Sequence, residues 1–239
     1  MTMNTDHIDF ISSYCDRWCE RCLFAPRCSL FATHAAIAMC GDVQEGFELA
    51  VGAPFPEPGH ADPDPSAEWI EAFESPEMTD AERADLDRRD REHEARIDDT
   101  SIMLMAHAFS EIANRWLAAR SESLRAVADD VVREALEIAE HDTFFISAKL
   151  HRALDGRDRR HRNDDAEDHP VQNDWNGSAK VALISITRSE AAWRVIAGVV
   201  EDKTPAMLST ELRRLARDVN TAFPDAWSFI RPGFDEPWR

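Results

Sequence analysis

Neither glycine nor proline occurs between Glu77 and Asp155, so a third of the 239-residue chain lacks both residues that most readily interrupt a helix. The stretch is rich in Ala, Leu, Arg and Glu, which predicts helix throughout. Thr79-x-x-Glu82 has the form of a capping box that starts one helix, and Asp98-Asp99-Thr100-Ser101 offers cap residues where that helix ends and the next begins. The second helix, about 101–119, carries Ile102, Met105, Phe109, Ile112 and Trp116 at helical spacing. A turn near Ser121 leads to a third, about 122–154, with Val127, Val131, Ile138, Phe145 and Ala148. A fourth follows Gly177 with Val181, Ile184, Trp193 and Ile196, and a fifth runs from Pro205 to about Ala222. Burying these stripes against one another gives an all-α fold, an antiparallel bundle of four to five helices with a Cys-rich metal-binding segment at its N-terminal side.

Charge separates this scaffold from its solvated parts. The formal net charge is −19, and residues 53–99 hold 16 acids against 5 bases, more than half of the excess. A surface of that sign repels a polyanion, so nucleic acid is not an expected partner. No apolar run approaches the ~18 residues of a membrane span, and the first residues lack the basic and apolar regions of a secretory leader, so the expectation is a cytoplasmic protein away from membranes. Eight glycines in 239 residues also disfavour a turn-rich β fold. The organisation expected is a Cys-cluster segment with a first helix over 1–52, a Pro-rich linker over 53–66, and the bundle over 67–239. A charged exposed loop is expected within it over 156–176.

Four of five cysteines fall within fourteen residues as Cys15-x3-Cys19-x2-Cys22-x5-Cys28. Without a leader peptide, such a cluster reads as a metal site rather than a disulfide framework. Four thiolates complete the coordination of either Zn2+ or a [4Fe–4S] cluster. A structural zinc site usually pairs two C-x2-C knuckles across a longer spacer, whereas here one knuckle has its outer ligands close on both sides, which favours the cluster. Arg17, Arg21 and Arg27 are placed to donate toward anionic sulfur, and Trp18, Leu23 and Phe24 to cover it. Cys40, beside Ile37 and Met39, reads as a small buried hydrophobe. The first three cysteines share their spacing with radical S-adenosylmethionine enzymes, but Arg21 stands where those carry an aromatic residue, and their alternating strands and helices are missing. The trailing C-x2-C-x5-C is similar to the end of the iron–sulfur loop in helix-hairpin-helix DNA glycosylases, whose first spacing is longer and whose ligand this acidic chain would repel.

The helices carry further polar candidates. A di-iron bundle uses Glu-x-x-His on two helices, and no core helix has it. Two looser pairs, His107 with Glu111 and Glu137 with His141, sit at unequal heights on a hairpin turning near Ser121, so the four do not converge. His107 then reads as a core histidine. The chain has 24 Arg and only 3 Lys, and two of the lysines, Lys149 and Lys180, lie on apolar helical stretches. A desolvated lysine can do chemistry that arginine cannot, while the plainer reading has them snorkel to solvent or pair internally with Glu137 or Asp174.

Three blocks, Tyr14-Cys-Asp-Arg-Trp-Cys-Glu-Arg-Cys22, Gly177-Ser-Ala-Lys-Val-Ala-Leu183 with Arg188, Ser189 and Trp193 after it, and Phe229-Ile-Arg-Pro-Gly-Phe-Asp-Glu236, resemble an uncharacterised family of bacterial hypothetical proteins. The third helix resembles it through Glu137, Lys149 and Arg152, but His141 and Asp142 stand where an aromatic pair would be expected. The resemblance implies no activity. The function expected from the residues is redox work, electron transfer or sensing, at an iron–sulfur centre with a redox or regulatory protein as partner. The alternatives are a zinc-stapled interaction module without catalysis, or an oxidoreductase with a cavity between helices lined by Glu137, Lys149, Arg152, Lys180, Arg188 and His107.

Overall fold

The computed structural model describes residues 7–51, 78–162 and 169–235. Every regular element among them is helical, with no strand. The proline linker and part of the charged loop lie outside the described residues. The chain divides into two compact units, Met1–Ser13 with Arg17–Glu94, and Tyr14–Asp16 with Ala95–Arg239.

In the first unit, 3-10 turns at Cys19–Arg21 and Ala25–Arg27 lead into α1 (Ser29–Cys40), which packs on α2 (Val43–Val51). Gly41 ends α1 at φ 71° and donates to Ile37 O at 2.9 Å, a left-handed cap that favours glycine. Gly46 lets α2 approach so closely that a Cβ there would overlap the Ile37 backbone. Cys40 is half-buried, short of the buried position expected for it. The helix α3 (Asp80–Asp98) has the predicted capping box, Glu82 accepting from Thr79 N at 2.8 Å while Glu82 N donates to Thr79 Oγ1 at 3.3 Å. Its surface is polar nearly all round, and local pairs sustain it: Arg88 with Asp85 and Glu92, and Arg89 with Asp85.

The second unit is a ring of four helices: α4 (Ser101–Val127), α5 (Asp130–Arg162), α6 (Asp174–Ala197) and α7 (Thr204–Ala222). Thr100 caps α4 by accepting from Met103 N at 3.3 Å, as the sequence predicts, and Asp129 and Asn173 cap α5 and α6 in the same way. Pairs along the contacts run in opposite numerical order, Asp142 with Arg188 and Arg152 with Asp174, so α5 and α6 are antiparallel. Six residues join α6 to α7, too few to carry the chain back along a 24-residue helix, so these helices are antiparallel too. With α4 packed on both α5 and α7, the ring closes in an up-down-up-down order. Ile102, Phe109, Leu136, Ile146, Leu150, Ile186, Trp193, Leu212 and Val219 fill its centre.

Two sequence expectations are corrected here. The turn between α4 and α5 falls at residues 128 and 129 rather than near Ser121, because Ser121 lies on a continuous helix and Asp129 supplies the cap. The expected loop over 156–176 is helical at both ends. Gly156 does not break α5, since Arg157 lies over the Phe223 ring at 4.5 Å and donates to Ala222 O at 2.8 Å, holding the following turn onto α7. No helix among the described residues is long and apolar enough to cross a membrane.

Candidate functional site

Charged and aromatic side chains of the second unit converge on three residues, Tyr14, Cys15 and Asp16. Asp142, on the inner face of α5, has no exposed surface, and Arg188 from α6 binds it through two hydrogen bonds, at 3.0 and 2.5 Å. The third side of that guanidinium donates to Asp16 at 2.5 Å. His141, stacked on Phe145, bonds through Nε2 to the Asp16 carbonyl at 2.9 Å. Burial pushes the Asp142 carboxyl above the usual carboxylate range, and the bonds from Arg188 pull it back. Burial works against the Arg188 charge, and the two carboxylates outweigh it, so its pKa lies above the ordinary value.

Tyr14 is held on the other side of Cys15. Its hydroxyl donates to Asp174 at 3.2 Å, and Asp174 accepts two bonds from Arg152, at 2.9 and 2.5 Å. The hydrogen bond to Asp174 raises the Arg152 pKa. The ring lies 4.7 Å from that of Phe229 and fills a notch at Gly177, where a Cβ would overlap it. Burial first, then the Asp174 charge, push the phenol up to about 12. The three blocks singled out in the sequence thus meet at one place, the first supplying Tyr14, the second Gly177 and the third Phe229.

The lysines part company. Lys180 donates to Phe229 O at 2.6 Å and Trp227 O at 3.3 Å, and pairs with Asp235 at 2.7 Å. It fastens the segment after α7, a partner set other than the Glu137 or Asp174 expected of it. Lys149 is buried with its ammonium 5.4 Å from the Phe145 ring. Glu137 and His107 are both exposed, so His107 is not the core histidine expected. Its place on α4 follows the helical period, one position beyond the buried Ala106. Of the two arginines expected to line a cavity, Arg152 holds Tyr14 through Asp174, whereas Arg188 binds Asp16 and Asp142 directly.

None of Cys15, Cys19, Cys22 and Cys28 is in a disulfide, and all four are half-buried. Cys19 and Cys22 bracket a 3-10 turn in which Cys22 N donates to Cys19 O at 3.2 Å, and Cys28 stands at the head of α1. Arg21 lies 4.2 Å over the Trp18 ring. Among the described residues no group of three or more His, Cys, Asp or Glu side chains is gathered for a metal ion. No protein-family model, curated protein or solved structure matches the chain. Sequence reasoning missed Asp16 and Asp142 because a lone acid gives no sign of its partner, although the buried phase of Asp142 was readable from the apolar positions Ala135, Ala139 and Ile146 on α5.

Proposed function

We propose that this chain is a helical metalloprotein whose Cys15, Cys19, Cys22 and Cys28 hold a [4Fe–4S] cluster used in electron transfer or sensing, with a protein as redox or regulatory partner. The observation that supports the reading is the state of the thiols. Free cysteine is among the most buried residue types when it serves only packing, yet none of these four is in the core and none is in a disulfide. Half-exposed thiols four, three and six positions apart are accessible to a metal ion and spaced to close on one metal centre. The cysteines supply the sulfur ligands, the neighbouring arginines offset the anionic charge, and Trp18 limits water.

Protein purified without air and analysed for iron, acid-labile sulfide and zinc tests this. Iron and sulfide in equal amounts with visible charge-transfer absorption are expected, and Cys→Ser at any of the four should remove most of the metal while Cys40→Ser leaves it. One equivalent of zinc and no colour would make the same residues a structural staple. Wild-type protein that binds neither would end the metal reading.

A further inference from the structure

We infer that Tyr14 and Asp16 are positioning residues for Cys15, locking the backbone on both sides of that thiol to α5 and α6. The inference rests on the cysteine reading above and adds the device that presents one ligand. A ligand between two free residues would sample many conformations before binding, and ordering it would lower metal affinity. Here the preceding residue is fixed through its ring in the Gly177 notch and its hydroxyl on Asp174. The following residue is fixed twice, by its carboxylate on Arg188 and its carbonyl on His141. Arg188 is itself immobilised by the fully buried Asp142, and Asp174 by Arg152, so both anchors have a second tier of support. Directly after Asp16 the chain turns through Arg17 at φ 60°, a left-handed conformation that is unfavourable for non-glycine residues. Such a turn persists only where the flanking contacts hold it. Both anchors and their supports therefore serve a single half-buried tripeptide whose middle residue is a candidate ligand.

The test measures Zn2+ affinity of the full reduced chain by competition with a chromophoric chelator, alongside thermal unfolding. Asp16→Ala leaves Arg188 bound to Asp142, so the bundle keeps its buried pair. It should weaken metal binding about 10–100-fold, the range for removing a group that orients a ligand, with little change in melting temperature. Asp16→Glu should recover most of the loss. Gly177→Ala, which displaces the Tyr14 ring without altering any charge, should weaken binding in the same direction. If Cys19→Ser loses the metal while Asp16→Ala and Gly177→Ala bind it as the wild type does, the positioning role is wrong and the cysteine site stands. A lowered melting temperature with unchanged affinity would likewise reduce these contacts to architecture. If wild type binds no zinc and takes up no iron and sulfide, both proposals fall together.

Discussion

Tyr14 is the only tyrosine in the chain, so one residue reports on its own surroundings without interference. Its phenol is pushed up to about 12, first by burial and then by the carboxylate of Asp174. A folded pKa above the ordinary ~10 means the neutral phenol contributes stability fully below about pH 10 and loses it as pH rises through 12. Tyrosinate absorbance during an alkaline titration should rise with its midpoint near 12. A midpoint near 10 would place the ring in water and undo the notch at Gly177. Lys180 allows a second residue-scale prediction. Lys180→Met keeps the length of the side chain but takes the donor from two backbone carbonyls and leaves Asp235 with Arg231 alone. It should destabilise by roughly 2–3 kcal/mol, less than a fully buried pair because Asp235 reaches solvent. Thermal or denaturant unfolding of the variant, without loss of metal binding, is the expected outcome.

At the scale of elements, the segment after α7 is held by charge as much as by apolar contact. Gln172 exchanges two hydrogen bonds with Ile230, at 2.6 and 3.0 Å, and Asp235 joins Arg231 to Lys180. Burial pushes the Asp235 carboxyl up, but the bonds from Arg231 and Lys180 dominate and hold it well below the usual carboxylate range. Its folded pKa lies below the unfolded one. The contribution is therefore present above the ordinary value near ~3.9 and lost as pH falls through the folded value. The melting-temperature gap between wild type and Asp235→Asn should be constant at neutral pH and shrink below about pH 4. A gap that persists unchanged into stronger acid would show that the carboxylate charge is not what fastens the segment. The helix boundaries themselves were largely legible beforehand, since Thr79, Thr100 and Pro205 act on their own first turns. The α4 to α5 turn was not, because Ser121 and Asp129 are both acceptable stops locally and only the packing of α4 on α5 and α7 extends one helix to Val127.

For the whole molecule, four helices packed in a ring supply a continuous apolar core without any residue before Ala95. Deleting residues 1–30 should leave a helical protein that still unfolds cooperatively, with a lower melting temperature because Tyr14 and Asp16 no longer cover Gly177 and Arg188. Loss of a cooperative transition on circular dichroism would mean that the N-terminal residues organise the bundle. The amino-acid sequence by itself determined the all-helical class, the caps and the cysteine spacing, since each depends on interactions within a few residues of one another. It also placed Lys149 and Lys180 on apolar faces. Only the tertiary structure decided what the polar residues of those faces do. Asp16, Asp142 and Arg188 are separated by 126 and 46 positions, and nothing local couples them. Once α5 and α6 pack antiparallel, a carboxylate taken out of water must find a cation, and the geometry of that crossing makes it Arg188.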